Sequence, residues 1–194
     1  MTPSLDDVDW PVRTARLSIR PAVATDLDPT WRYRVLPGVR RWLSSASADP
    51  QVYRDRFVDP DRLATTLVIE CDGELIGDLM LRIEDGWAQV EVAEAVRGVQ
   101  AKLGWCLDPA YASRGYATEA VAELLRICFD DLGLRRVSAD CFAANTASTR
   151  LMERVGLRRE IHSVRDALHH SGEWMDGLGY ALLAEEWRAG RPVG

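Results

Sequence analysis

From Ala117 to Leu132 the apolar residues Ala117, Val121, Leu124, Leu125, Cys128 and Leu132 recur at three- and four-residue spacing, and Gly133 follows as a stop. This predicts an amphipathic helix with one face given to a core. Its flanks restrict the fold further. A β-rich run, Val99 to Leu107, turns at Asp108-Pro109, and a short loop holding Arg114, Gly115 and Tyr116 leads into the helix. Val137 to Phe142 then reads as a strand.

The rest of the chain fits around that segment. Thr14 to Pro21 alternates Leu17 and Ile19 against Arg16, Ser18 and Arg20, the period of a half-buried strand. Thr25 to Tyr33 and Val52 to Leu63 read as short helices. Thr65 to Cys71 and Glu74 to Ile83 are strand-like runs joined by Asp72-Gly73, a hairpin signal because both turn positions need φ > 0. Asn145 suits the N-cap of a helix over Thr146 to Val155 that stops at Gly156. Arg158 to Val164 and Met175 to Leu183 read as closing strands around a His-rich polar loop. The order is mixed α/β. No repeat, linker or low-complexity tract divides it, so one domain over 1–194, with its core about 14–187, is expected.

Charge narrows the function classes. The chain has 194 residues and a formal net charge of −6, which argues against a general nucleic-acid binder, since phosphate backbones demand a basic face. No apolar run approaches the ~18 to 20 residues of a membrane helix. The first ten residues carry three aspartates and no apolar core of a signal peptide, so a cytoplasmic protein away from the membrane is expected. Cys71, Cys106, Cys128 and Cys141 lie in apolar stretches without metal-ligand spacing, and the three histidines, His162, His169 and His170, add no zinc pattern. Buried thiols are the favoured reading, with a covalent cysteine enzyme as its rival.

The loop before the long helix carries the chemistry. Glycine lets a backbone approach a ligand closely. The first helical turn offers N–H groups and the positive end of the helix dipole. Together they suit a diphosphate, and Arg114 adds a cation. After one helix and one strand come Asn145-Thr146-Ala147-Ser148 and then Glu153-Arg154-Val155-Gly156-Leu157-Arg158.

With these residues in view, the chain resembles the GNAT superfamily of N-acetyltransferases, and within it the ribosomal-protein N-terminal acetyltransferase (RimJ/RimL-like) branch. The superfamily's diphosphate motif is Q/R-x-x-G-x-G/A. Ala112 to Ala117 matches it at Gly115 and Ala117, with a basic residue at Arg114, while Ala112 stands where Gln or Arg is usual and Ser113 where many members carry Gly. Thr118-Glu119-Ala120, the N-x-x-S of Asn145 and Ser148, Gly172 to Asp176 and Tyr180 to Trp187 are also typical of the branch.

The resemblance implies a central twisted mixed sheet whose two parallel strands, about Val99 to Leu107 and Val137 to Phe142, splay apart. It implies acetyl-CoA as cosubstrate and no metal. Trp105, Cys106 and Leu107 would hold pantetheine, Arg114, Gly115, Tyr116, Ala117 and Thr118 the diphosphate, and Asn145 would add a contact. On the Asn145 helix, Arg150 and Arg154 are within reach of the 3′-phosphate of CoA, or they form an exposed arginine face. The acceptor would be a primary amine, a protein N-terminus or a small molecule, attacking the thioester directly. A homodimer is the expectation from the branch.

Two roles stay open. Ser148 is the candidate acid for the leaving thiolate, or it only completes the first turn of its helix. The base is unassigned, because Lys102 stands where many relatives carry Glu. Glu91, Glu94, Asp140 and His162 are alternatives. Lys102 also keeps two other functions in view: transfer of a bulkier or acidic acyl group, and acyl-CoA binding without catalysis. Glu119 so near the phosphates is unfavourable, so its side chain is expected to point away from them.

Overall fold

The computed structural model describes residues 3–44 and 47–190. Its strands are β1 (Val12–Arg13), β2 (Ser18–Pro21), β3 (Thr66–Cys71), β4 (Glu74–Glu84), β5 (Gln100–Leu107), β6 (Arg136–Phe142), β7 (Arg158–Leu168) and β8 (Trp174–Leu183). Its helices are α1 (Leu27–Arg34), α2 (Pro37–Arg40), α3 (Pro50–Phe57), α4 (Pro60–Leu63), α5 (Tyr116–Arg126), α6 (Thr146–Arg154) and α7 (Ala184–Ala189). This is the mixed α/β fold that the sequence predicts. The chain forms two compact units, and β5 and α5 run through both.

One unit comprises Asp9–Leu81 and Gly104–Val121. Its strand order is β1-β2-β3-β4-β5, with β1 to β4 antiparallel. Asp72 and Gly73 take φ of 51° and 82° and close the β3–β4 hairpin as their residue types require. The segment Thr14 to Pro21 departs from the single strand expected. Thr14 and Leu17 instead close a tight turn, with Thr14 N–H donating to the Leu17 carbonyl and the Thr14 hydroxyl accepting from Leu17 N–H, both at 2.9 Å. A threonine hydroxyl that bonds its own backbone competes with a strand ladder. Leu17 and Ile19 are still buried.

The expected helix over Val52 to Leu63 is two helices. Asp49 and Asp59 each accept two backbone N–H groups ahead of a proline, so Asp59-Pro60 starts a new helix where the first would have continued. Tyr53, Phe57, Leu27, Ala22 and Val68 form an apolar cluster, with Trp31 packed against it.

The other unit comprises Met1–Val8, Arg82–Leu103 and Ala122–Gly194. Its strand order is β5-β6-β8-β7. β5 and β6 run parallel, and their ladder pairs only Gln100, Ala101 and Lys102 with Arg136, Val137 and Ser138. β6 with β8, and β8 with β7, are antiparallel. The back of α5 departs from the predicted α-helix. After Arg126 it widens into a π turn, Ile127–Asp131, with Leu132 N–H reaching the Ile127 carbonyl at 2.9 Å. The wider turn buries Ile127 and Phe129 beside Leu124, Leu125 and Cys128. Each buried Leu or Ile contributes about 1.5 to 3 kcal/mol. Gly133 stops the helix at φ 64°.

In the first of these units β4 carries a buried charge. Asp78 accepts from Tyr33 Oη at 2.6 Å and from Arg34 Nε at 2.9 Å, and Arg34 also donates to its second oxygen. Burial works against the Arg34 charge, yet Asp78 holds the guanidinium firmly protonated. Removing one partner strands the other in a dry site, a loss of about 3 to 5 kcal/mol. Asp78→Ala should therefore lower unfolding free energy in urea by that amount. A double replacement by apolar residues of similar volume should cost much less.

Candidate active site

The loop between β5 and α5 is built from a run of local bonds. Asp108 N–H donates to the Ile76 carbonyl of β4 at 2.8 Å, and the Asp108 carboxylate accepts from Ala110 N–H at 2.9 Å. The chain then passes through Ser113 at φ 62° and Gly115 at φ 81°. The left-handed region is uncommon for serine and natural for glycine. The Gly115 carbonyl accepts from Glu119 N–H at 3.0 Å and so begins the helix. The N–H groups of Tyr116 and Ala117 consequently have no partner within the helix. Arg114 and Gly115 are exposed, and Tyr116, Ala117 and Thr118 are half-buried. The five candidate diphosphate residues thus form one continuous turn that a ligand can reach.

Aromatic rings and cations surround this turn. The Arg114 guanidinium lies 5.6 Å from the Tyr111 ring centroid, and that of Arg16 lies 4.6 Å from that of Tyr116. The two tyrosine centroids are 6.4 Å apart. Tyr111 donates to Glu74, and that bond holds its phenol above the usual range. The Glu119 carboxylate has its own partners. Thr14 Oγ1 donates to it at 2.6 Å, Arg16 N–H at 3.0 Å and Arg16 Nε at 2.7 Å. Burial opposes its ionisation, but the bonds from Thr14 and Arg16 outweigh this and keep its carboxyl below the ordinary range. Arg16 and Thr14 were missed in the sequence. Their only signal there was a position on a short β-like run.

In the same unit, Trp105 and Leu107 are half-buried and Cys106 is buried. Gly77 on β4 is required for their placement, because a Cβ there would stand 2.6 Å from the Cys106 carbonyl oxygen. Burial pushes the Cys106 thiol well above its usual range.

The other unit holds the remaining candidates. Asn145 caps α6 by accepting from Ser148 N–H at 3.2 Å. The Ser148 hydroxyl has no hydrogen-bond partner among the described residues and takes no part in that cap. Arg154 is exposed in the last turn of α6. Lys102 Nζ meets Asp140 at 2.5 Å. Glu94 pairs with Arg97 at 2.7 Å, and Glu91 is exposed. His162 Nε2 lies 2.8 Å from Asp176, whose other oxygen accepts from Arg165 N–H at 2.9 Å. Those contacts, the one with His162 first, hold the Asp176 carboxyl below its ordinary range.

All four cysteines are free thiols. Cys141 is pushed up to about 11, by burial first and then by Asp140, so it is protonated at neutral pH. Among the described residues, no group of three or more His, Cys, Asp and Glu side chains is placed to hold a metal ion. No helix among them is long and apolar enough to cross a membrane.

Residues 16–158, which include the loop, the start of α5 and α6, match the model of the acetyltransferase (GNAT) domain. The chain belongs to the GNAT acetyltransferase family. The family's general reaction moves an acetyl group from acetyl-CoA to an amine. Among curated relatives, it is 37% identical over 86 residues to the uncharacterized N-acetyltransferase YnaD of Bacillus subtilis (strain 168), a match that covers 44% of this chain and 50% of that protein. The chain therefore spans about half the length of that relative. Among solved structures, a GNAT-family acetyltransferase from Bacillus anthracis superposes with a TM-score of 0.76 at 27% identity, covering 90% of this chain and 99% of that one. RimJ of Mycobacterium smegmatis, solved in complex with CoA-disulfide, superposes at 0.73 and 25% identity over 96% of this chain and 91% of that one.

Gly115 tests the placement of the diphosphate. Its φ of 81° strains any other residue, and a Cβ there would lie 3.4 Å from Arg16 Nη2. Gly115→Val should weaken CoA binding tenfold or more in calorimetry, about 1.4 kcal/mol, with the fold retained by circular dichroism.

Proposed function

We propose that this chain acts as a single-domain N-acetyltransferase, taking acetyl from acetyl-CoA and giving it to a primary amine, either a peptide N-terminus or a small amine. The observation that carries this reading is the Arg114 to Thr118 turn. An accessible loop with a glycine at positive φ enters a helix N-terminus, with Arg16 and Arg114 over the neighbouring Tyr116 and Tyr111 rings. Arg114, Gly115, Tyr116, Ala117 and Thr118 hold the CoA diphosphate. Trp105, Cys106 and Leu107 offer the edge of β5 to pantetheine, and a backbone N–H there serves the acyl oxygen as donor. Asn145 and Arg154 contact CoA. The protein works in the cytoplasm, without nucleic acid or membrane, and pairs as a homodimer.

Ser148 protonates the leaving thiolate. Its unpartnered hydroxyl supports this over a purely local role at the helix start, because Asn145 already satisfies its N–H. Lys102 favours acetyl over an acidic acyl group. Its charge is matched by Asp140, so no unpaired ammonium is left to attract a carboxylate. The same pairing takes Asp140 out as a base. His162, with its ring held by Asp176, is the base candidate with an orienting partner already in place.

Release of free CoA thiol from acetyl-CoA, measured against peptides and small amines, tests the reaction. Turnover with at least one acceptor is expected, with propionyl-CoA and succinyl-CoA as poorer donors. Ser148→Ala should lower kcat at least tenfold and leave acetyl-CoA affinity close to that of the parent protein. A loss of thermal stability alone would assign Ser148 to the helix start.

A further inference from the structure

The turn that binds diphosphate in the reading above has an unusual dependence on a residue far away in sequence. Arg16 stands at the tip of the Thr14–Leu17 turn and engages three parts of the loop at once. Nη1 donates to the Arg114 carbonyl at 2.9 Å. Nε and Nη2 meet the Glu119 carboxylate at 2.7 and 2.5 Å. The guanidinium plane covers Tyr116. Thr14 and the Arg16 N–H take the other carboxylate oxygen.

We infer that Arg16 is a positioning residue for the diphosphate-binding loop, acting on two features of the loop that CoA binding needs. The inference rests on the assignment of that loop to CoA. The first feature is direction. In a trans peptide the C=O and the next N–H point opposite ways. Holding the Arg114 carbonyl therefore turns the Gly115 N–H away from Arg16 and keeps it aimed. The second is charge. Glu119 lies one turn into α5, where a bare carboxylate would compete with a diphosphate for the helix N-terminus. Arg16 neutralises it while Thr14 and the Arg16 N–H occupy the second oxygen. Arg16 also supplies a guanidinium beside a motif whose first position, Ala112, has no polar side chain.

Calorimetric titration with CoA, together with acetyl-CoA kinetics, tests this in Arg16→Ala, Arg16→Lys, Glu119→Gln and the double variant Arg16→Ala/Glu119→Gln. Arg16→Ala should weaken CoA at least tenfold and raise KM for acetyl-CoA far more than it lowers kcat. The double variant should regain at least threefold of that loss, because the bare carboxylate is gone. Arg16→Lys keeps the charge and loses the fork, so it should fall between the two. It carries the test by itself if Arg16→Ala does not fold. CoA affinity in Arg16→Ala or Arg16→Lys equal to the parent's, with Gly115→Val still impaired, would overturn the inference and leave the loop assignment standing. A merely structural role is indicated if the double variant gives no recovery over Arg16→Ala and the acceptor KM, acetyl-CoA KM and kcat all worsen alike, and this too overturns it. Failure of the parent protein to bind CoA would instead overturn the loop assignment.

Discussion

In the reading proposed above, the donor site depends on one interaction, the hold of Arg16 on the Arg114 carbonyl and the Glu119 carboxylate. Free amides at a helix start are common and bind nothing in particular unless they are aimed and their surroundings are not negative. The chain carries a net charge of −6, so a local cation excess has to be made by placement. Arg114, beside the Tyr111 ring, provides it, while Arg16 over Tyr116 neutralises the one acidic residue of the first turn.

In the same unit that loop hangs from a strand fixed on its other side. The Ile76 carbonyl takes Asp108 N–H, Gly77 admits the Cys106 carbonyl, and Asp78, the next residue, pins α1 through Tyr33 and Arg34. Three successive β4 residues thus serve three connections. Because the Asp78 cluster is buried and fully bonded, its loss is felt as a large drop in stability. The loop itself is exposed at Arg114 and Gly115, so changes there are expected to cost the fold far less.

Much of this could be read in advance wherever the signal is local. The Asp72-Gly73 hairpin, the Asn145 cap, the Gly133 and Gly156 stops and the apolar face of α5 all depend on residues within a turn or two of each other. Interactions set by strand pairing were not legible. Arg16 and Glu119 lie 103 residues apart, and Lys102 meets Asp140 only because the parallel β5–β6 ladder sets Lys102 beside Ser138. The sequence therefore offered no partner for Glu119 or for Lys102, and the fold supplies both, Thr14 and Arg16 for the first and Asp140 for the second. The Thr14–Leu17 turn and the π turn after Arg126 escaped for a related reason: a strand or helix period continues through them while the hydrogen bonding does not.

In the proposed reading, CoA lies with its diphosphate on the backbone amides at the start of α5. Backbone amide shifts of the isotopically labelled protein during titration with CoA test it most directly. The largest changes are expected on Gly115, Tyr116 and Ala117, and ADP should reproduce them while pantetheine should not. Saturable CoA binding that leaves these three amides unmoved would contradict it.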